Sequence, residues 1–259
     1  SSLTNNPRSA ATRAQAILNR HPDQPQAWFI LAQALVAMGQ PAEALTALDQ
    51  AIRLASEPLE MLRLRAQIIY RLRGPANAIE TIHGLDESYA QDPELNRLLA
   101  DFYLELGDPE NALKAARLAL QTGQVELDLP TQTHLHLLIG RQARLAGQLD
   151  QAIYQLNEAI HKSPAELEPY LELGRAYQDR RQVSQAMEIY QGAAKMAPQD
   201  YRPYFQAGLV LKECKDYPEA ENMFRRAAHL APNEVSIHRQ LAAVVALNLV
   251  HNRRLVSTE

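Results

Sequence analysis

Residues 164–198 read PAELEPYLELGRAYQDRRQVSQAMEIYQGAAKMAP, and residues 199–232 follow as QDYRPYFQAGLVLKECKDYPEAENMFRRAAHLAP. Laid over each other, the two stretches share a frame. Pro164, Pro198 and Pro232 are spaced 34 residues apart, Gly174 falls on Gly208, Ala186 on Ala220, and Tyr190 on Phe224. A fixed period of 20–50 residues is the mark of a repeat architecture, in which each unit is one supersecondary element.

Carried outward, the frame starts units near Pro25, Leu59, Pro93, Thr133, Leu167, Tyr201 and Val235, each step being 34 residues except one of 40 between Pro93 and Thr133. The eighth position holds only Gly or Ala: Ala32, Ala66, Ala100, Gly140, Gly174, Gly208 and Ala242. The twentieth holds only Ala: Ala44, Ala78, Ala112, Ala152, Ala186 and Ala220. Larger apolar residues recur beside them, Leu31, Leu99, Ile139, Leu173 and Leu241 at the seventh position and Leu48, Ile82, Leu156, Tyr190 and Phe224 at the twenty-fourth. Helices packed at about 8–10 Å need small side chains where their backbones come closest. Small against large at helical spacing therefore describes helix pairs that interdigitate.

Punctuation agrees. Gly39, Gly107 and Gly147 follow the first helical run of their units, and Pro41, Pro75, Pro109 and Pro218 open the second. Asp108, Asp150, Asp216 and Ser184 suit N-caps or first turns. The spacing predicts first helices over 25–38, 59–72, 93–106, 132–146, 167–180, 201–214 and 235–250, second helices over 41–54, 75–87, 109–122, 149–162, 183–196 and 217–230, and no strand.

On these residues the chain resembles the tetratricopeptide repeat family, whose helix–turn–helix unit has an aromatic, Leu-Gly, Tyr, Ala, aromatic, Ala and Pro in order. The fifth unit matches with Tyr170, Leu173, Gly174, Tyr177, Ala186, Tyr190, Ala193 and Pro198. The sixth matches with Tyr204, Gly208, Ala220, Phe224, Ala227 and Pro232, and the first with Trp28, Leu31, Ala32, Leu35, Gly39, Ala44 and Ala51. The second departs, with Arg65 at the usual Leu position and Arg73 at the turn. The resemblance implies an all-α fold, a right-handed superhelical α-solenoid of antiparallel helix pairs.

The expected organisation is one solenoid over 1–259: a half repeat at 8–22, full repeats at 25–58, 59–92, 93–126, 133–166, 167–200 and 201–234, and a terminal capping helix at 235–250. The half repeat, and a first residue other than Met, read as truncation on the N-terminal side. The six extra residues fall within 121–132, a longer loop between repeats, with projection into the groove or a hinge between halves as the alternative. The last helix carries Leu241, Val244, Val245, Leu247, Leu249 and Val250, so a homodimer through it is the alternative to simple capping.

Composition narrows the function. The chain has 259 residues, 46% hydrophobic and 22% charged, with a net charge of −4. An evenly acidic chain argues against a nucleic-acid partner or an anionic membrane surface. One Cys excludes an internal disulfide and a Cys zinc cluster. No run reaches the roughly 20 apolar residues of a membrane helix, and no signal peptide opens the chain, so a cytoplasmic protein without membrane insertion is expected. His134 and His136, two apart, face different sides of a helix, and the other histidines are scattered. Cys214 lies beside Lys212 and Lys215 but without His or Asp in register to make it a nucleophile. Gly192 and Gly208 read as packing glycines rather than a phosphate loop. No catalytic residue, metal site or cofactor is expected.

A stack of helix pairs offers a concave face lined mainly by first helices. The family resemblance puts its second, fifth, ninth, twelfth and thirteenth positions in that groove. They carry Arg63, Gln67 and Arg97 in the early units, and Arg141, Arg144, Arg175, Arg202 and Lys212 in the later ones. Leu171, Phe205 and Leu209 would add apolar pockets. Arginine's planar fork suits carboxylates, so an acidic group of a peptide or partner protein is the expected ligand. The alternative is that these arginines pair with Glu168, Glu172, Asp179 and Glu213. The Lys and Asn clamp of chaperone-binding relatives is not matched, since Phe29 with Gln33 and Arg63 with Gln67 stand there. The reading is a non-catalytic protein-interaction scaffold, with a recruiting arm of a larger enzyme or a self-assembly module as alternatives.

Overall fold

The computed structural model describes residues 6–123 and 127–256, the last six without their side chains. Among the described residues there are fourteen α-helices and no strand. They fall into two compact units, residues 1–127 and 128–259. The extra residues of the long interval lie at this division, and 124–126 within it are outside the described residues.

The first unit holds α1 (Pro7–Leu18), α2 (Pro25–Ala37), α3 (Pro41–Leu54), α4 (Leu59–Arg73), α5 (Pro75–His83), α6 (Pro93–Glu105) and α7 (Pro109–Thr122). The second holds α8 (Leu129–Leu145), α9 (Leu149–Lys162), α10 (Leu167–Asp179), α11 (Val183–Met196), α12 (Arg202–Glu213), α13 (Tyr217–Leu230) and α14 (Val235–Val256). Within each unit every helix packs on the next in sequence, and the first helices of neighbouring repeats also touch: α4 on α6, α8 on α10, α10 on α12, and α12 on α14. That second set of contacts puts the first helices side by side on one face. No described helix is long and apolar enough to cross a membrane.

Helix starts follow their residues. Asp92, Asp108, Asp128 and Asp216 accept the backbone N–H three residues on, capping α6, α7, α8 and α13. Three expected bounds shift. α5 stops at His83 instead of running to 87, because the chain turns at Gly84 and Asp86 then caps a short 3-10 turn at Glu87–Tyr89. α8 begins at Leu129, three residues early, where Asp128 supplies a cap. α14 continues to Val256 rather than ending at 250.

The small positions do what close packing demands. Ala44, Ala78, Ala112, Ala152, Ala186 and Ala220 are all 0% exposed. At the eighth position a Cβ on Gly140 would lie 2.7 Å from Leu156 Cγ, one on Gly174 2.4 Å from Tyr190 Cε1, and one on Gly208 2.8 Å from Phe224 Cε1. In the fifth and sixth units a large ring fills the place of the missing methyl, and the glycine is its counterpart. Gly192 is corrected: it is exposed in α11 with nothing within 4 Å of an added Cβ, so it packs against nothing. Ala242 is also exposed, on a face of α14 that no described helix covers.

Turns between paired helices need a residue in the left-handed region. Glycine supplies it four times, including Gly74 at φ 84°, which alone separates α4 from α5. In the fifth and sixth repeats Arg181 (φ 64°) and Lys215 (φ 65°) take this conformation without being glycine.

Candidate binding face

The first helices of the second unit present a charged face built around one buried carboxylate. Glu172 sits one turn into α10 and is 2% exposed, yet three guanidinium groups reach it. Arg141 and Arg144, one turn apart on α8, donate from their Nε atoms to Oε1 at 3.0 Å and Oε2 at 3.2 Å. Arg175, three residues on along α10, donates to Oε1 at 2.8 Å. An unpaired carboxylate in such a place would be strongly unfavourable; these contacts offset its burial and fix the arginines in turn.

The remaining guanidinium edges meet a rim of more exposed carboxylates. Arg141 also donates to Glu168 Oε1 at 3.0 Å and Arg144 to Asp179 Oδ2 at 2.8 Å. Arg202, at the start of α12, bridges Glu168 at 2.8 Å and Asp200. Arg202's hydrogen bonds hold the Asp200 carboxyl below its usual range. Burial works against the charge on Arg144, but Asp179 and Glu172 outweigh it and raise its pKa. Tyr190 passes between these charges and the core; burial above all pushes its hydroxyl up, and it donates to Gln178 Oε1 at 2.5 Å.

The five sequence-predicted cations of this unit therefore share one face, and four of them carry an acidic partner. Lys212 donates to Gln240 Oε1 on α14 at 2.6 Å. Internal pairing of the arginines is present for Glu168, Glu172 and Asp179. Beside this network lies a polar hollow of about 320 Å³ lined by Arg144, Arg175, Gln178, Asp179, Arg181 and Glu213. Arg181, exposed in its left-handed turn, makes no ion pair among the described residues. The repeat register gives no sign of it, because it follows α10 at a turn position rather than a groove position.

Leu171 requires correction. It is 1% exposed and packs with Tyr190, Ala207 and Val210, so it belongs to the core rather than to an open pocket. Phe205 and Leu209 are half-buried, Phe205 tilted against Phe224 with ring centroids 5.8 Å apart.

In the first unit Arg63 holds the buried Asp92, whose Oδ1 also caps α6 by accepting from Leu95 N at 2.8 Å. Arg97 pairs with Glu94 and, at 2.8 Å, with Asp101. Gln67 and Arg97 line a separate hollow of about 390 Å³ with Tyr70, Asp101, Phe102 and Glu105. Tyr70 stacks on Phe102 at 4.7 Å and donates to Glu105 Oε2 at 2.6 Å, which raises its pKa. Both Arg63 and Arg97 thus tie helix to helix or turn to turn.

Among the described residues no three His, Cys, Asp or Glu side chains come together to hold a metal ion. His136 Nδ1 lies 2.8 Å from Gln155 Oε1, and Cys214 is exposed at the end of α12.

Two family models described as tetratricopeptide repeat match the chain, one over residues 4–68 and 143–212, more than half its length, the other over 95–122 and 201–234. None of the curated proteins matches it. Among solved structures it is similar to MamA 41-end from Desulfovibrio magneticus RS-1, at 19% identity over 68% of this chain and 96% of that one, with a TM-score of 0.60. It is also similar to YrrB, described as a TPR protein with an unusual peptide-binding site, at 13% identity over 89% and 98% (TM-score 0.52). A chain of the APC/C hetero-tetramer Cut9-Hcn1 aligns at 14% identity over 94% of this chain and 47% of that one, with a TM-score of 0.58. At these identities the likeness is one of fold.

Proposed function

The chain belongs to the tetratricopeptide repeat family, and on that premise we propose that it is a non-catalytic scaffold holding a peptide or partner protein on its first-helix faces. The finer reading is that the second unit receives an acidic group of that partner in the hollow beside Glu172. One observation carries it. Arg144, Arg175 and Arg181 meet there with Asp179 and Glu213, Glu172 holds Arg144 and Arg175 from beneath, and Arg181 makes no ion pair among the described residues. Glu172 acts as the internal anchor that presents Arg175 to solvent. An incoming carboxylate gains charge-assisted hydrogen bonds from Arg175 and Arg181, and Asp179, 45% exposed, is free to exchange into water. Because most of the arginines are already neutralised, recognition depends on this local exchange and not on a long-range basic field.

The test is calorimetric titration with paired acidic and amidated peptides. The Arg175→Gln, Arg181→Gln double variant should weaken the acidic peptide about tenfold or more, the range of one or two charge-assisted hydrogen bonds. Equal affinity for both peptides in the parent chain would remove the acidic reading and leave only the scaffold. A self-assembly role has one specific observation behind it: Leu247, Leu249 and Val250 of α14 are 41–59% exposed. Light scattering against concentration decides it, a constant monomer mass ending that reading.

A further inference from the structure

We propose that the second unit has a second binding site, a cleft between α11 and α13 that takes a bulky apolar side chain of a partner peptide with a carboxylate beside it. The cleft encloses about 440 Å³, floored by α12. Its origin is two departures from the repeat. Ala207 stands where the other units have Leu31, Leu99, Ile139, Leu173 or Leu241, apart from Arg65, and Ala194 stands where earlier units have Ile52, Leu120 and Ile160, apart from Asp86. Both alanines line the cleft. Volume filled by branched side chains in the preceding repeat is open here, and a cavity of this size falls in the range of ligand pockets.

The site is separate from the arginine face. On α12, at 100° per residue, Tyr204, Ala207 and Leu211 point roughly opposite to Arg202, Phe205, Leu209 and Lys212. The walls are Met187 from α11 and Met223 from α13, both half-buried, whose flexible thioethers adapt to aromatic or aliphatic guests.

Charge sets the orientation of the guest. Lys195 and Arg226 line one end and make no ion pair among the described residues. Arg226 lies over the Tyr204 ring at 4.5 Å, which leaves the edge of its guanidinium for an oxygen acceptor. Glu219 lines the cleft seven residues earlier on α13, about 10 Å away along the axis. A carboxylate is attracted to the first end and repelled from the second. The arginine face differs in this respect, since its cations are largely neutralised from within the chain.

The five methionines make the test specific. The full chain, labelled with 13C at the methionine methyls, is titrated with acetyl-Leu-Phe-Asp-Asp-amide and with its neutral counterpart acetyl-Leu-Phe-Asn-Asn-amide. The expected result is saturable shifts of Met187 and Met223, with Met38 and Met61 of the first unit unmoved, and affinity for the acidic peptide at least several-fold higher. Lys195→Glu with Arg226→Glu should erase that preference and keep residual binding of the neutral peptide. Ala207→Leu, which restores the preceding repeat, should abolish both. If it fails to fold, as the Met38 and Met61 lines would show, Ala194→Ile serves the same purpose at a less buried position. Arg175→Gln with Arg181→Gln should leave these shifts unchanged, so failure of the arginine-face reading is distinguishable. No shift at Met187 and Met223, or equal shifts with both peptides, overturns the proposal.

Discussion

Gly174→Ala is the sharpest test of how the repeats pack, because helix propensity and tertiary packing predict opposite signs. In an exposed helix the change gains about 1 kcal/mol. Here the added Cβ would stand 2.4 Å from Cε1 and 2.5 Å from Cζ of Tyr190, a ring that is 0% exposed. Carbon pairs rest at about 3.5–4.0 Å, so the ring must retreat by roughly 1 Å. Overpacking of that kind costs about 1–3 kcal/mol. The retreat also pulls the Tyr190 hydroxyl from Gln178, now 2.5 Å away, and an unsatisfied buried hydroxyl costs a further 1–3 kcal/mol or so. Set against the propensity gain, the net loss is about 1–5 kcal/mol, read from urea unfolding followed by circular dichroism. Gly192→Ala is the control on the next helix, with nothing within 4 Å of its Cβ, and should stabilise by up to about 1 kcal/mol. Adding Tyr190→Leu to Gly174→Ala recreates the Ala32 and Leu48 pairing of the first repeat and should recover part of the loss, a coupling of about 0.5–3 kcal/mol. If Gly174→Ala stabilised the chain as Gly192→Ala does, the close contact between the paired helices would be refuted.

Glu172→Gln leaves three guanidinium groups without their shared anion and should cost about 2–3 kcal/mol, below the figure for fully buried pairs because the arginines are partly solvated; denaturant midpoints measure it. Lys215→Gly relieves a left-handed lysine but frees the unfolded chain, for a net gain of about 0.5–1 kcal/mol seen as a higher thermal midpoint. Asp200 and Asp108 are held below the ordinary value of 3.8, chiefly by the Arg202 side chain and the Asn111 N–H respectively. A carboxyl depressed by folding contributes stability above its unfolded pKa and loses it as pH falls through the folded one, so the urea midpoint should drop below about pH 4. Asp108→Asn, which keeps a cap but does not titrate, should flatten part of that acid slope.

The helices of this protein are legible from residue identities because each repeat is a local structure. Small residues at fixed intervals, prolines at second-helix starts and Asp caps act within one helix pair, and the observed bounds of α2, α3, α4, α6 and α7, like those of α9 to α13, agree with the spacing to within a residue or so. The alanines at Ala194 and Ala207, in place of the Leu or Ile of most other units, are also visible in the frame, though the cleft they line is not. Charge pairing could not be decided from sequence. Arg141 and Glu172 are 31 residues apart, and the same arginine spacing would serve equally for a ligand or for a carboxylate of the next helix. Burial of Leu171 beside the half-buried Arg175 on α10 likewise depends on which side α12 packs. Local sterics are written into single side chains. Which charges meet, and which face stays open, arises only once neighbouring repeats have stacked.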